Sequence, residues 1–541
     1  MIPAEPLLAG AVPAGLHPVG HRRFAAAVEP ADLVETARAL FAEGMRLALV
    51  SGHDDGTSMR VVYLFTAGPP DTRIELQVSL DRTKPQVPTL AALSFPASRF
   101  ERELADLYGV EAIAHPQPRR LVLHQHWPPH WHPMRQDTTG PPRMVADAGS
   151  FPFVAVDGPG VYEIPVGPVH AGLIEPGHFR FWVVGETILR MKARLWFVHK
   201  GIEKLLEGKD VAAGLEIAER ISGDTAVGHA VAYCQAVEDA HGVRIPDRAQ
   251  LLRAVLLELE RLYNHVADVG ALCNDVGYGL ANAWALSLRE RLLRLNAEVT
   301  GHRLLRGGVL PGGARVRRLP TAAELAEVSG RFEELVELAG SNALVMERFT
   351  GTATLDGSHA RDLGVVGVVA RASGLDFDAR TAHPFLERPL LDQAVLEQVG
   401  GFTPARRTTG DVLARYAVRV DEARTSLALL AGLIDGGIDG GVEGLIDGGV
   451  EGRAVLPLDG AAVGDRSRDR SAGGVGIAEG WRGAIVHRVE LDGQGRLARV
   501  KVVDPSFLNW PALPVSLADT IVPDFPLANK SFNLSYAGND L

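Results

Sequence analysis

The sequence predicts an α+β protein in which a small α/β domain precedes a larger domain with a central helix bundle and peripheral β-strands. Residues 28–125 alternate strand-like and helix-like patterns, the chain is strongly helical from about residue 186 to 345, and strand-like runs flank that region. Because 541 residues exceed what one hydrophobic core supports, more than one domain is expected. We place them at residues 1–125 and 151–541, joined by a linker at 126–150.

The N-terminal domain is predicted from three strand-like runs, "RLALVSG", "RVVYLFTA" and "RIELQVSL". The linker region that follows is rich in His, Pro and Trp, and four of its imidazoles are candidate zinc or copper ligands: His124, His126, His130 and His132. The intervening prolines and tryptophans instead favour an extended segment of packed rings. A zinc site at 124–132 is therefore an alternative and not the main prediction.

The second domain opens with strand-like "VYEIPVG" and continues into a predicted helix bundle. In "DRAQLLRAVLLELERLYNHVADVGAL" apolar residues recur at helical spacing, at Leu252, Val255, Leu256, Leu259, Leu262 and Val266. Residues 433–476 are Gly-rich and repeat LIDGG and VEG, a composition typical of a flexible surface insertion. The last segment returns to a strand-and-turn pattern.

Composition excludes several classes of protein. The formal net charge of -11, without a basic stripe, argues against nucleic-acid binding. No apolar run is long enough for a membrane span, and the start lacks the basic region of a signal peptide, so membrane contact is expected only through partners. Cys234 and Cys273 are the only cysteines, so neither a disulfide framework nor a multi-cysteine cluster is expected in this chain alone. Each is expected to be a small buried residue.

Two groups of residues have the composition of a functional site. "GPVHAGLIEPGHFRF" at 167–181 places His170 and Glu175 in a turn where glycines let the backbone approach a ligand closely. On the long helix, three polar residues share one face: Glu258, Arg261 and His265. From local pattern alone, that face is either a functional cluster or a solvated set of ion pairs. Asp275 follows in the turn "CNDVGYG".

"RISGDTAVGHAVAYCQAVEDA" at 220–240 has the outline of a metal half-site without its ligands. Ser222 and Thr225 stand three residues apart after an Arg and before an apolar helix, at the spacing of a C-x-x-C pair. We call Ser222–Thr225 the first frame.

Motifs along nearly the whole chain carry a family resemblance. "SFPASRFERELADLYGV" and "HPQPRRLVLHQHWP" resemble the 30-kDa subunit of respiratory complex I. "GPVHAGLIEPGHFRFWVVGE", "RLWFVHKGIEKL", "MERFTGTATLDGSHARDLGVVGVVARASG" and "DPSFLNWPAL" resemble the 49-kDa complex I subunit and the large subunits of membrane-bound group 4 nickel-iron hydrogenases. The order of these motifs implies that the two subunits are fused here, while the Gly-rich tract has no recognised counterpart.

The resemblance gives the first frame a meaning. Hydrogenase large subunits bind nickel and iron through two C-x-x-C pairs, and the first frame aligns with the first pair. In "FNLSYAGNDL", Ser535 and Gly538 align with the second pair, and we call them the second frame. Protonated hydroxyls cannot replace soft bridging thiolates, and glycine has no side-chain ligand. The four positions are therefore expected to be vestigial, with no metal bound.

The match to the quinone-reducing branch is partial. Ile174 and Gly223 stand where complex I has the His and Tyr that bind the quinone head group, whereas Asp275 aligns with the acidic residue that pairs with that His. Glu175 matches the hydrogenase proton-gate glutamate. The resemblance thus implies a proton relay through Glu175, Asp275 and His170, coupled to the membrane arm through Glu258, Arg261 and His265.

The expected function is that of a large subunit in a membrane-associated, complex I-like and hydrogenase-related oxidoreductase that couples electron transfer to ion translocation. NADH- or ferredoxin-linked reduction of a quinone is a candidate reaction, with quinone the candidate ligand. This chain alone is expected to bind no cofactor; an iron-sulfur small subunit and antiporter-like membrane subunits are the expected partners, and the location is peripheral on the cytoplasmic side. The alternative is a redox-silent scaffold that couples partner subunits mechanically.

Overall fold

The structure is a computed structural model of the chain and describes residues 15–146, 149, 151–170, 174–384, 402–434 and 472–541. Its N-terminal unit is a five-stranded sheet in the order β1-β2-β5-β4-β3, formed by β1 (His17–Gly20), β2 (Arg23–Ala27), β3 (Arg46–Asp54), β4 (Ser58–Ala67) and β5 (Thr72–Asp81). The β2–β5 pair is parallel and the other pairs are antiparallel. The three predicted strands are confirmed as β3, β4 and β5.

The remaining elements of this unit are α1 (Leu33–Ala42), β6 (Gln86–Pro88), α2 (Phe95–Tyr108) and β7 (Glu111–Ile113). Helix α2 ends at Tyr108, and the next residue, Gly109, has a left-handed conformation with φ 70° that closes the helix and turns the chain toward β7. Strand β4 is buried continuously from Val61 to Phe65, so both faces of the sheet are covered.

The second domain begins with an antiparallel sheet in the order β10-β9-β8, formed by β8 (Val161–Val166), β9 (His178–Val184) and β10 (Thr187–Arg194). The prediction that helix begins at about residue 186 is wrong, because the first helix of this domain begins at Ile202. A bulge between Ile188 and Arg190 interrupts the strict alternation of β10, which hid the strand in the sequence.

The predicted helix bundle is confirmed. Helix α6 (Asp247–Asp275) is its centre, and the six apolar residues of its predicted stripe are all buried. The helices packed around α6 are α5 (Ala226–His241), α7 (Gly279–Thr300), α8 (Ala322–Gly340) and α13 (Val412–Ile434). Shorter elements complete the region: α3 (Ile202–Leu206), α4 (Val211–Ala218), β11 (Val309–Leu310), β12 (Gly313–Ala314), α9 (Ala343–Phe349), α10 (Gly357–Leu363), α11 (Gly367–Ala372) and α12 (Ala379–Ala382).

The C-terminal region forms a second antiparallel sheet from β13 (Ala472–Gly480), β14 (Gly483–Leu491) and β15 (Leu497–Val503). The predicted strand-and-turn pattern is therefore confirmed as far as Val503. Beyond that residue the prediction is wrong, because four short helices follow: α14 (Pro505–Asn509), α15 (Ala512–Ser516), α16 (Phe525–Phe532) and α17 (Tyr536–Asp540).

The predicted bounds of the Gly-rich insertion are wrong at both ends. Residues 433 and 434 belong to α13, and 472–476 belong to β13, while 435–471 lie outside the described residues. A Cβ added to Gly476 would lie 1.9 Å from the carbonyl oxygen of Ala232 in α5. This glycine therefore lets β13 pack closely against α5, and its role in the fold is not flexibility.

The two domains share apolar core and buried ion pairs. Arg488 of β14 lies 3.1 Å from Glu75 of β5, and Arg60 of β4 lies 2.9 Å from Glu490 of β14. His124, just before the linker, and His132, within it, each use one ring nitrogen on a backbone carbonyl, those of Leu195 and Asp106. The α+β prediction is confirmed. Within the described ranges, no helix has both the length and the apolarity needed to span a bilayer.

Candidate functional site

The structure brings the two frames together. Ser222 lies just before α5 and Ser535 caps the start of α17, yet their Oγ atoms are 2.9 Å apart across 313 residues of sequence. The Oγ of Ser535 also accepts the N–H of Gly538 at 2.9 Å. Both serines are buried, so the frames form one enclosed site between the helix bundle and the C-terminus.

An ion pair occupies the first frame. The carboxylate of Asp224 pairs with both terminal nitrogens of Arg482, at 2.6 and 2.8 Å, and accepts the hydroxyls of Ser222 and Thr225. Burial alone would raise the pKa of Asp224, but the charge of Arg482 and these hydrogen bonds outweigh it and lower the pKa to about 2. Asp224 is therefore ionised at neutral pH, and its side chain is 37% exposed. It closes this edge of the site.

A second carboxylate lies against Gly538. A Cβ on Gly538 would be 2.5 Å from Cγ of Asp504, so Asp504 takes the space that any side chain at 538 needs. Asp504 is buried, accepts the N–H of Ser506 at 2.7 Å, and lies 3.1 Å from Nε2 of His229. Burial raises its pKa, but the hydrogen bond and charge of His229 lower it more, so the net shift in the pKa of Asp504 is downward.

These residues do not fit a nickel-iron centre. The four positions supply three hydroxyls, which are hydrogen-bonded to one another, to Asp224 or to backbone, and one glycine. Nickel sites of this kind need soft thiolates. Cys234 and Cys273 are buried, and burial raises the pKa of the Cys273 thiol to about 12. Among the residues that the structure describes, no group of three or more His, Cys, Asp or Glu side chains is arranged to hold a metal ion.

The predicted relay residues occupy different places. Glu175 reaches the second frame, where its Oε2 accepts the N–H of Ala537 at 3.1 Å. His170 binds the carbonyl of Gly177 through Nε2 at 2.7 Å and so holds the turn in shape. Asp275 ends α6, half-buried, and burial raises its pKa while the charge of Lys530 opposes this. Within the described residues, no hydrogen bond or ion pair joins Asp275 to either frame.

The predicted coupling residues are buried, so the alternative of a solvated ion-pair face is wrong. Nε of Arg261 lies 3.1 Å from Oε2 of Glu258. Nε2 of His265 lies 2.8 Å from Oε2 of Glu422 on α13. Because burial lowers the pKa of His265, the neutral ring donates Nε2–H to Glu422. These contacts make α6 one wall of a buried charged cluster.

We call this the buried charged cluster: Glu258, Arg261, His265, Arg371, Asp378, Arg380, Glu422 and Glu479. Burial would raise the pKa of Glu422, but the charge of Arg371 and the hydrogen bond from His265 hold it well below its usual value. For Glu479, burial and the charge of Asp378 raise the pKa. Its carboxylates outnumber its guanidiniums by four to three, and the pKa values of Glu422 and Glu479 are shifted in opposite directions. Such a cluster has the composition to hold and release a proton.

One turn joins the buried charged cluster to the frames. Trp481 and Arg482 connect β13 to β14, and the carbonyls of Glu479 and Gly480 just before them accept hydrogen bonds from Arg261. Nε1 of Trp481 donates to the carbonyl of Asp224 at 3.0 Å, and the Trp481 ring lies 6.1 Å from that of His265. The Trp481–Arg482 turn thus contacts the first frame on one side, and the residues just before it contact Arg261 on the other.

Sequence reasoning missed most of the residues that build this site. The unassigned ones are Asp224, His229, Arg371, Asp378, Arg380, Glu422, Glu479, Arg482 and Asp504. A usable signal was present for two of them: Glu479 and Arg482 are charged residues in an otherwise apolar strand-turn-strand segment, where burial requires a partner. Asp224 was visible inside the first frame, but its partner lies 258 residues away.

Three family models match separate parts of the chain. "Respiratory-chain NADH dehydrogenase, 30 Kd subunit" matches residues 26–143, "Nickel-dependent hydrogenase" matches 200–272, and "Respiratory-chain NADH dehydrogenase, 49 Kd subunit" matches 275–443. The three matches follow one another in the order that the sequence motifs predicted.

Known proteins are similar to this chain over two thirds or more of its length. Formate hydrogenlyase subunit 5 of Escherichia coli (strain K12) is 32% identical over 477 residues, covering 86% of this chain and 79% of that protein. The fused C/D polypeptide of NADH-quinone oxidoreductase from Phocaeicola vulgatus is 29% identical over 399 residues, covering 69% and 75%. A chain of the membrane-bound sulfane sulfur reductase, an archaeal respiratory membrane complex, shares the fold with a TM-score of 0.59 at 24% identity, covering 70% of this chain and 98% of that one. The chain therefore belongs to the family of fused 30-kDa/49-kDa complex I-type subunits that includes formate hydrogenlyase subunit 5 and the C/D polypeptides of NADH-quinone oxidoreductase.

Proposed function

We propose that this chain is the large subunit of a membrane-associated, complex I-like and hydrogenase-related oxidoreductase that couples electron transfer to ion translocation without a nickel-iron centre. The observation that carries the proposal is the meeting of the two frames at Ser222 and Ser535, with Glu175 hydrogen-bonded inside the second frame. The site keeps a carboxyl positioned for proton transfer, while hydroxyls, Asp224 and Asp504 stand where metal ligands would be.

In this proposal the proton chemistry belongs to this chain and the electrons arrive through partners. The Trp481–Arg482 turn links the frames to the buried charged cluster, which gives a physical route for coupling. An iron-sulfur small subunit would bring electrons to the site, antiporter-like membrane subunits would translocate the ion, and a quinone is the candidate acceptor, as in the NADH-quinone oxidoreductase relative. The chain would then sit on the cytoplasmic side of the membrane as a peripheral subunit.

Purification of the native complex tests the proposal. The expected result is a reducible iron-sulfur cluster in a co-purified partner, together with turnover of a quinone, ferredoxin or NADH. The Asp224–Arg482 ion pair and the hydrogen bonds of the two frames also suit a rigid scaffold without redox chemistry. A complex that assembles with membrane subunits but shows neither a reducible cluster nor turnover would establish that second role.

The purified complex is expected to contain no stoichiometric nickel and to neither evolve nor consume hydrogen. The reason is that none of the four frame positions offers a thiolate and that Asp504 fills the space beside Gly538. Elemental analysis combined with a hydrogen-uptake assay checks this. Nickel at one atom per chain would contradict the alignment of the frames.

Expressed alone, the chain is expected to be incomplete, and co-expression with its small subunit should raise yield and thermal stability by mass action. Exposed apolar side chains stand beside the Glu175 turn, among them Val169 and Ile174. Ile174→Asp should therefore reduce co-purification of partners. The matched control is Ile113→Asp, an exposed apolar residue on β7 of the N-terminal domain. A stable lone monomer with no affinity for such a partner would count against the complex.

A further inference from the structure

Five cations gather where the N-terminal domain meets β10. We call them the cationic cluster: Arg99 and Arg102 on α2, Arg119 in the loop after β7, and Lys192 and Arg194 on β10. Each of the other four residues lies close enough to lower the pKa of Lys192. Among the described residues, none of the five forms an ion pair with a carboxylate. The guanidiniums also share aromatic neighbours: Arg99 and Arg194 lie over the Trp196 ring, and Arg119 and Arg194 lie over the Phe151 ring. Ring contacts stabilise the guanidiniums but carry no negative charge to balance five cations.

The neighbouring carboxylates are already committed. Asp106 accepts the N–H groups of Leu121, Val122 and Leu123, at 2.7 to 3.2 Å. Glu103 binds Lys501 at 2.6 Å, and Asp540 accepts the N–H of Val198 at 3.0 Å. Across the sheet, the residue opposite Lys192 is Arg180, which pairs with Glu163 at 3.4 Å. The charges of Glu103, Asp106 and Asp540 act on the arginines of the cationic cluster from a distance, but within the described residues none of these carboxylates forms an ion pair with it.

Donor groups in the cluster are also left without acceptors. The Nε atoms of Arg99, Arg119 and Arg194 are buried and have no hydrogen-bond partner within the described residues. The ammonium of Lys192 makes no hydrogen bond within the described part of the chain. Other nitrogens of the cluster donate to backbone carbonyls; for example, Nε of Arg102 donates to the carbonyl of Arg119 at 2.7 Å. These hydrogen bonds hold the guanidiniums in place but do not neutralise their charge. Unmet buried donors and an excess of positive over negative charge are two signs that the cluster can bind an anion.

We propose that the cationic cluster is a binding site for a phosphate-type oxyanion carrying more than one negative charge. Guanidiniums and an ammonium from three separate elements match the several oxygens of such a group through charge-assisted hydrogen bonds. The phosphate belongs either to a free phosphorylated small molecule or to the headgroup of an anionic lipid. The site borders the second frame, because Nη2 of Arg99 donates to Oδ1 of Asn539 at 3.1 Å.

Calorimetric titration of the full chain with pyrophosphate tests the proposal. Saturable binding is expected, and Lys192→Gln or Arg119→Gln should each weaken it by about tenfold, the effect of one lost charge-assisted hydrogen bond. The matched control is Arg38→Gln, an exposed cation on α1 that pairs only with Glu35 among the described residues. Binding by the control should stay within about twofold of the parent, since an exposed pair contributes little.

Lys192→Gln should change the unfolding temperature and the proton uptake on binding in ways that the loss of a purely structural contact would not. Burial and then the four arginines lower the pKa of Lys192 to about 7, so its charged form destabilises the empty protein. The variant should unfold at a higher temperature than the parent without pyrophosphate, and gain less on its addition. Because an anion restores the usual pKa, the parent should also take up a proton on binding at about pH 8, measured by calorimetry in buffers of different ionisation enthalpy.

Vesicles distinguish the two sources of phosphate. If phosphatidylglycerol vesicles bind the chain and compete with pyrophosphate while phosphatidylcholine vesicles do not, the site takes a lipid headgroup. Pyrophosphate binding without vesicle binding assigns it to a soluble ligand. The proposal is overturned if neither probe saturates, if Lys192→Gln and Arg119→Gln bind like the parent, or if only a Glu-rich peptide binds at the cationic cluster.

Discussion

Arg371→Met is expected to abolish stable folding of the chain. Arg371 is fully buried and lies within ion-pair distance of three carboxylates of the buried charged cluster, those of Asp378, Glu422 and Glu479. Removing one partner of a buried pair costs about 3–5 kcal/mol because a charge is left uncompensated. Glu479 loses the ion-pair partner it has among the described residues, while Asp378 keeps Arg380 and Glu422 keeps Arg261 and His265. The total stability of a domain is only about 5–15 kcal/mol, so one uncompensated buried charge is a large part of it. Arg261→Ala should act in the same direction through Glu258 and Glu422.

The matched control is Arg424→Met, on the same helix as Glu422. Arg424 pairs with Glu333, and both side chains are about half exposed, so the change should cost at most about 1 kcal/mol. Chemical denaturation followed by circular dichroism measures both variants. Adding Glu479→Gln to Arg371→Met should recover part of the loss, because it removes the carboxylate that is left without its ion-pair partner. An Arg371→Met chain as stable as the control would mean that the cluster does not hold the bundle together.

Local pattern was enough for elements whose burial follows a simple period. The apolar stripe of α6 and the strands β3, β4 and β5 repeat with the spacing of their structure. Local sequence pattern failed to predict the structure where tertiary contacts interrupt the regular spacing of buried residues. The bulge in β10 disrupted its alternation, and Gly474 and Gly476 of β13 were taken for a flexible tract although they lie against α5. Glycine composition alone does not distinguish close packing from flexibility.

The candidate site was predictable only in part, for a related reason. The family resemblance identified Ser222, Thr225, Ser535 and Gly538 as one site, and the structure brings them together. The charges that occupy the site come from distant segments: Arg482 is 258 residues from Asp224, and Glu422 is 157 residues from His265. The spacing of Arg261 and Glu258 in the sequence predicts that they share a helix face. It does not predict that α13 and β13 bury that face.

Glu175→Gln is expected to lower coupled turnover of the assembled complex by roughly 10²–10⁴-fold, the usual contribution of a positioned acid-base group. This prediction depends on the proposed function. Glutamine has nearly the same volume, and its side-chain oxygen can still accept the N–H of Ala537, so the second frame should keep its shape. What the variant loses is the ability to bind and release a proton. Turnover, ion transport and complex yield are to be measured on the same preparation.

Asp275→Asn makes the comparison informative, because Asp275 lies at the end of α6 without contact to either frame in the described residues. Burial raises its pKa, so it too is suited to proton transfer, and a similar loss of coupled turnover with unchanged yield is expected. The two carboxyls contact different parts of the chain. If both variants lose coupled turnover, the proton path must therefore extend beyond the two frames and include Asp275. If both variants turn over and pump like the parent, Glu175 and Asp275 are structural remnants, and the scaffold role becomes the better explanation of the site.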